Sequence, residues 1–130
     1  MDNAPPEQGP FSIATRLKAL GHAIAGLGFM LRSQHNTWIH VAAGVVAVAA
    51  SVVLRISLAD WRWIIAAIGL VWAAEAFNTA IECICDLVSP GYNLLVKRAK
   101  DVGAAAVLIA SAGAAFIGVI TFWPYLHLRA

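Results

Sequence analysis

Charged residues are scarce in this sequence. Asp, Glu, Lys and Arg together make up 12% of the 130 residues, whereas hydrophobic residues make up 61%. An ordinary soluble domain has about twice that charged fraction, so the composition excludes that class and favours a membrane protein. The formal net charge of +2 is also too small to indicate a nucleic-acid-binding protein.

Three other features that the sequence lacks narrow the choice further. Its two cysteines, Cys83 and Cys85, would point in different directions on a helix, so we expect neither a disulfide nor a metal site between them. No GxxxxGK[ST] motif occurs, which excludes a phosphate-binding loop of the Walker type. The first ten residues, MDNAPPEQGP, are polar and proline-rich, and we expect a disordered tail over residues 1–10 rather than a signal peptide.

The sequence does contain long apolar runs. A membrane-spanning helix needs about 20 mostly apolar residues, and three segments meet this requirement, at about 37–54, 62–86 and 101–123. Before them, apolar residues recur every three or four positions over about 11–34, as in an amphipathic helix that lies on a membrane surface or packs against other helices. We therefore expect an all-α membrane protein, with three transmembrane helices and an N-terminal amphipathic surface helix, in one domain over residues 11–130.

Lysine and arginine are distributed unevenly around these spans. One side of the three-span arrangement has Arg16, Lys18, Arg32, Lys97, Arg98 and Lys100, whereas the other has Arg55, Arg62 and Arg129. Positive charges accumulate in cytoplasmic segments of membrane proteins. We therefore expect a cytoplasmic N-terminus, a short external turn over residues 55–60 and a cytoplasmic connection over residues 89–101. The third span should end at the Trp-Pro-Tyr cluster that begins at Trp123.

A polar stripe interrupts the apolar surface of the second span. Glu75, Asn78, Glu82 and Asp86 fall within one narrow sector of a helix drawn at about 100° per residue. An ionisable group inside a bilayer costs at least about 2.5 kcal/mol, so such groups usually face a bundle interior and mark a functional site. Pairing with the basic residues that follow the span would instead give these acids a role in helix packing.

The stripe and the basic connection together have the chemistry of a phosphoryl-transfer site. Carboxylate oxygens bind Mg²⁺, and lysines neutralise phosphate charge. Glu82 lies nearer the connection, and Glu75 lies about 10 Å deeper at 1.5 Å per residue. This arrangement suggests Glu82 for a metal and Glu75 for the proton of a lipid hydroxyl. Two alternatives stay open: a small proton-coupled membrane transporter, and a membrane oligomer without enzymatic activity.

The stretch EAFNTAIECICDL, followed after a turn by YNLLVKRAKDVGAAAVLIAS, resembles the small integral-membrane prokaryotic diacylglycerol kinase and undecaprenol kinase family. With the amphipathic helix and the HNTWIH segment, the resemblance covers about residues 11–122, and HNTWIH is more similar to the undecaprenol kinase branch. The resemblance implies a lipid kinase that transfers the γ-phosphate of ATP, with Mg²⁺, to the primary hydroxyl of diacylglycerol or undecaprenol. It also implies a homotrimer in the bacterial plasma (inner) membrane, with cytoplasmic active sites shared between protomers.

The resemblance assigns roles to individual residues. Glu75 would be the general base and Glu82 a metal ligand, with Asn78 and Asp86 as further polar groups of the site. Many family members have a second metal-binding glutamate before the first span, but this sequence has Gln34, whose amide oxygen is an uncharged ligand. The residues expected to contact ATP are Lys100, Asp101, Gly91, Tyr92, Asn93, Glu82, Gln34, His22 and Arg16, with Lys18 beside them on the surface helix.

Overall fold

A computed structural model describes residues 12–33 and 35–127, and over these ranges the chain forms four α-helices and no strands. The helices are α1 (Ile13–Ser33), α2 (His35–Leu54), α3 (Leu58–Val88) and α4 (Leu94–His127). The predicted fold class, all-α with three long apolar helices after an N-terminal helix, is confirmed. The expected tail over residues 1–10 and the expected metal ligand Gln34 lie outside the described residues.

Three of the helices are long and apolar enough to cross a membrane. These segments are Asn36–Leu54, Leu58–Val88 and Leu94–His127, with mean hydropathies of 2.0, 1.7 and 2.2. The last two have 31 and 34 residues, or about 46 and 51 Å of helix, against a hydrocarbon layer of about 30 Å. Both helices therefore extend beyond the apolar layer. Large apolar side chains are exposed along all four helices, as expected of a protein surrounded by lipid or by further subunits.

The face of α3 that packs inside the bundle changes character along its length. Ile64, Ala67 and Val71 are buried at spacings of three and four residues, as on the core-facing side of a helix. The same face continues into Glu75 and Asn78, which are also buried. The deep part of the polar stripe thus continues the apolar core stripe, with Glu75 facing neighbouring helices, whereas Glu82 is half-buried and Asp86 is exposed.

The first span ends in a Schellman motif. Ile56 N–H donates to the Ser51 carbonyl and Arg55 N–H donates to the Val52 carbonyl, both at 3.2 Å, which is the hydrogen-bond pattern of that motif. Arg55 has a φ of 52°, a left-handed conformation that costs an L-residue about 1–2 kcal/mol. Burial of Ile56 at the hydrophobic position of the motif offsets this cost.

Ser57 caps the N-terminus of α3 and explains why this helix begins four residues before the expected start at residue 62. The Ser57 Oγ accepts a hydrogen bond from Asp60 N–H at 3.1 Å and donates one to Asp60 Oδ2 at 2.7 Å. The Tyr125 hydroxyl also donates to Asp60 Oδ2, at 2.5 Å, and accepts from Ser57 N–H at 2.9 Å. This Ser57–Asp60–Tyr125 cluster joins the start of α3 to the end of α4.

The connection between α3 and α4 is shorter than expected, because Asn93 caps α4. Its Oδ1 accepts hydrogen bonds from Leu95 N–H at 2.9 Å and Val96 N–H at 3.4 Å, as an N-cap side chain does. Of the expected connection over residues 89–101, only residues 89–93 lie between the helices, and the basic residues that follow belong to α4. The expected helix end at the Trp-Pro-Tyr cluster is wrong, because α4 continues through Pro124 to His127.

Candidate active site

Glu75 is a buried carboxylate held by a hydroxyl from another helix. Its side chain is 3% exposed, and Thr37, which is 1% exposed, donates from Oγ1 to Glu75 Oε1 at 3.1 Å. Thr79 donates to the Glu75 backbone carbonyl at 2.9 Å. Among the described residues, the ion pairs of Lys97 and Lys100 go to other acids. In the described part of the chain, Glu75 therefore has a hydroxyl partner, and the alternative in which a basic side chain pairs with Glu75 to fix helix packing is not observed.

Asn78 orients Glu82 and contacts α4. Its Nδ2 donates to Glu82 Oε1 at 3.0 Å, one helical turn away, and only this end of the amide can donate to a carboxylate. The Oδ1 end is buried with no hydrogen-bond partner and faces Gly103, where an added Cβ would lie 2.5 Å from it. The backbone of α4 therefore lies directly against the Asn78 amide, and the side chain of Glu82 is held on the same side of α3.

The turn between α3 and α4 forms a groove beyond Glu82. Lys100 Nζ contacts Asp86 Oδ1 at 2.5 Å across the two helices, and Lys97 Nζ contacts Asp101 Oδ2 at 2.6 Å along α4. The groove has a volume of about 400 Å³ and is lined by Asp86, Ser89, Pro90, Gly91, Tyr92, Asn93, Val96, Lys97, Lys100 and Asp101. Its lining combines two lysines, each paired with an aspartate, with the residues of the turn, and lysines of this kind can contact the phosphates of a nucleotide.

The structure thus brings most of the expected site residues to one end of the bundle. The residues that line the groove include Asp86, Gly91, Tyr92, Asn93, Lys100 and Asp101, and the stripe leads from it to Glu75. Arg16, Lys18 and His22 lie in the first half of α1 and are exposed. The second half of α1 is the part that approaches α3, where Leu27 and Met30 line a shallow apolar cavity with Ala76 and Ala80.

The oxygen donors near the groove fit a magnesium ion that is held partly by phosphates. Mg²⁺ is commonly bound by one or two carboxylates together with substrate phosphates and waters, rather than by an all-protein cage. Glu82 supplies a half-buried carboxylate whose orientation Asn78 sets. In the described ranges, no group of three or more His, Cys, Asp and Glu side chains is close enough to hold a metal. The Glu82 carboxylate therefore fits Mg²⁺ binding in which phosphates and waters supply the remaining ligands.

Comparison with known proteins identifies the family. Residues 21–122 match the family model of prokaryotic diacylglycerol kinase. The chain belongs to this family. The undecaprenol kinase of Bacillus subtilis is 32% identical over 109 residues, which cover 84% of this chain and 89% of that protein. The diacylglycerol kinase of Escherichia coli K12 is 33% identical over 109 residues, which cover 78% of this chain and 89% of that protein. The diacylglycerol kinase of Synechocystis is 33% identical over 111 residues, which cover 85% of this chain and 63% of that protein.

The family resemblance that the two motifs indicated is therefore confirmed, and the chain is a membrane lipid kinase with ATP as its co-substrate. Two residues of the kinase that touch the stripe are not among the predicted site residues. Thr37 is a hydroxyl residue at the start of an otherwise apolar span, and this pattern is only a weak indication of a site residue. Gly103 lies in a run of small residues, where no local feature separates it from its neighbours.

Proposed function

We propose that this kinase transfers the γ-phosphate of ATP to the primary hydroxyl of diacylglycerol or undecaprenol, giving phosphatidic acid or undecaprenyl phosphate. Both lipids are supported, because the relatives compared above are named as kinases of one or the other. The observation that carries the proposal is the buried Glu75 carboxylate. Glu75 shares a helix face with Glu82 and lies about three helical turns from the groove that Lys97 and Lys100 line.

Glu75 acts as the general base in this proposal. A carboxylate has acceptor sites beyond the one that Thr37 occupies, so it can also accept the proton of the lipid hydroxyl. The hydroxyl oxygen then forms a bond to the γ-phosphorus, while the bond from that phosphorus to the bridging oxygen breaks and ADP leaves. A positioned carboxylate contributes about 10²- to 10⁴-fold to the rate of such a step.

Glu82 and Gln34 are the proposed metal ligands. The hydrogen bond from Asn78 holds the Glu82 carboxylate in one orientation on α3. When bound, Mg²⁺ neutralises charge on the phosphoryl group during transfer. Gln34 offers an amide oxygen in place of the carboxylate that many relatives have, so in this kinase Glu82 provides the charge of the pair.

The groove at the turn is the proposed ATP site. Lys100 leaves Asp86 and contacts a phosphate oxygen, exchanging one solvent-exposed charged partner for another. Lys97 remains paired with Asp101 along α4. The other proposed ATP contacts are Asp101, Gly91, Tyr92, Asn93, Glu82, Gln34, His22 and Arg16, with Asp86 and Lys18 at the edge of the site.

The kinase domain is proposed to span residues 11–130 and to assemble as a homotrimer with shared active sites. We place it in the bacterial plasma (inner) membrane, with the N-terminus and the site cytoplasmic. The excess of lysine and arginine at the groove end of the bundle supports this orientation. The family resemblance and the exposed apolar side chains support oligomerisation. Sedimentation equilibrium in a density-matched detergent would give the mass of three chains.

The deciding experiment is phosphate transfer from labelled ATP by the detergent-purified protein with Mg²⁺. Diacylglycerol and undecaprenol are supplied in separate reactions. We expect labelled product with at least one lipid and a loss of about 100-fold or more in Glu75→Gln. The matched control is Asp60→Asn, which removes a carboxylate at the other end of the same helix and should keep activity. Absence of product with both lipids would refute the proposal.

A further inference from the structure

Thr37 differs from Ser51 and Thr79, two other buried hydroxyl residues, in what it contacts. Ser51 and Thr79 each donate to the backbone carbonyl four residues earlier in their own helix, Ala47 and Glu75 respectively. Thr37 instead donates from α2 to the side chain of Glu75 on α3. The first two are local bonds that any hydroxyl in a helix can make, whereas the third requires two helices to be in register.

We propose that Thr37 is a positioning residue, whose hydroxyl holds the Glu75 carboxylate in the orientation in which it accepts the lipid proton. This inference rests on the proposed role of Glu75 as the base. Thr37 is 1% exposed, and its β-branched side chain is restricted at χ1. The direction of the hydrogen bond is therefore fixed by the packing of α2.

The carboxylate needs such a partner because, among the described residues, it accepts a hydrogen bond from Thr37 alone, and without that bond only packing restrains its orientation. The backbone of Glu75 is fixed in α3, and its carbonyl also accepts from Thr79, but neither constraint acts on the carboxylate. A displacement of about 1 Å in a reacting group can lower a rate about 100-fold. Loss of the Thr37 hydroxyl should therefore lower kcat and leave the binding of ATP in the distant groove unchanged.

Two substitutions separate the hydroxyl of Thr37 from its packing. Thr37→Val keeps the shape and removes the donor, whereas Thr37→Ser keeps the donor and removes a methyl group. If the hydroxyl positions Glu75, Thr37→Ser will be more active than Thr37→Val. If Thr37 only fills space between α2 and α3, the order will be reversed. Ser51→Ala is the matched control, since it removes a fully buried hydroxyl of α2 that bonds only within its own helix.

The experiment measures kcat, and KM for both ATP and lipid, with the lipid alcohol that the wild-type kinase phosphorylates. We expect kcat to fall about 10- to 100-fold in Thr37→Val, with KM for ATP within about twofold of wild type. Thr37→Ser should recover most of the rate, and Ser51→Ala should match wild type. Thermal unfolding and size-exclusion chromatography establish that each variant is folded. If Thr37→Val is not recovered, Thr37→Cys, which has a weaker donor, should be slower than Thr37→Ser.

The outcomes distinguish this inference from the proposed function. Wild-type protein that phosphorylates neither lipid would overturn both. An active wild type, an inactive Glu75→Gln and a Thr37→Val with normal kcat would overturn the role of Thr37 alone. Equal losses in Thr37→Val and Thr37→Ser, or a larger loss in Thr37→Ser, would also overturn it, because packing would then explain the effect.

Discussion

A Cβ atom at Gly103 would lie 2.5 Å from the amide oxygen of Asn78. Glycine at this point of α4 therefore allows the two helices to approach where the polar stripe is buried. The other end of the same amide donates to Glu82 Oε1 at 3.0 Å. Because the amide cannot turn away from Gly103 without disturbing that bond, the separation of α3 and α4 is coupled to the orientation of Glu82.

Gly103→Ala should impair both stability and the use of Mg²⁺. Overpacking of this kind costs about 1–3 kcal/mol, and displacement of Asn78 should raise the Mg²⁺ concentration needed for half-maximal activity. Thermal unfolding and a Mg²⁺ titration of lipid phosphorylation measure the two effects. Gly69→Ala on α3 is the control, since a Cβ there meets nothing within 4 Å. Equal behaviour of the two variants would contradict the coupling.

Lys100→Ala should raise KM for ATP by about tenfold or more, since it removes the charged donor that is proposed to contact a phosphate oxygen. Arg98→Ala, which removes a neighbouring positive charge outside the residues that line the groove, should change KM for ATP by less than about threefold. Initial rates over a range of ATP concentrations give both values. A similar rise in both variants would indicate a general effect of charge rather than a contact between Lys100 and phosphate.

Gln34→Glu tests the proposed role of residue 34 as a metal ligand. A second negative charge beside the cation contributes about 1 kcal/mol or more even in water. The Mg²⁺ concentration for half-maximal activity should therefore fall by at least about fivefold. The matched control is Gln34→Leu, which removes the amide oxygen and should raise that concentration. If both variants have the wild-type requirement, residue 34 does not contribute to metal binding.

Tyr125→Phe should destabilise the far end of the bundle without affecting catalysis. The substitution removes the hydroxyl that donates to Asp60 and accepts from Ser57 N–H. Loss of these hydrogen bonds lowers the free energy of unfolding by about 1–3 kcal/mol, measured by denaturation in detergent. Activity at 25 °C should be unchanged. Tyr92→Phe, at an 85% exposed tyrosine, should leave stability unchanged, and a comparable loss there would rule out a specific effect of the cluster.

Helix ends could be located from the sequence only in part. Ser57 with Asp60, and Asn93 before an apolar run, are N-cap signals, whereas hydropathy predicts spans that start at about residues 62 and 101, inside helices that begin at Leu58 and Leu94. Hydropathy reports where lipid can surround a helix, whereas caps report where the helix starts. α3 and α4 extend beyond the apolar layer, so the two criteria give different boundaries for this protein.

The sequence by itself determined the fold class, the polar face of α3 and the family. Each follows from information that is local along the chain: the length of apolar runs, the helical period that brings Glu75, Asn78 and Glu82 onto one face, and two motifs that a family shares. These features do not depend on which helices pack together, so they could be established without the structure.

The tertiary structure alone decided which side chains meet across helices. Thr37 and Glu75 are 38 residues apart, and Tyr125 and Asp60 are 65 apart. Gly103 contacts Asn78 only because α4 packs against that face of α3. Such pairs depend on the register and separation of packed helices, which arise from the sum of many small side-chain contacts. The sequence pattern of a single segment does not determine this packing. The partners of the buried Glu75 carboxylate could therefore be identified only from the folded chain.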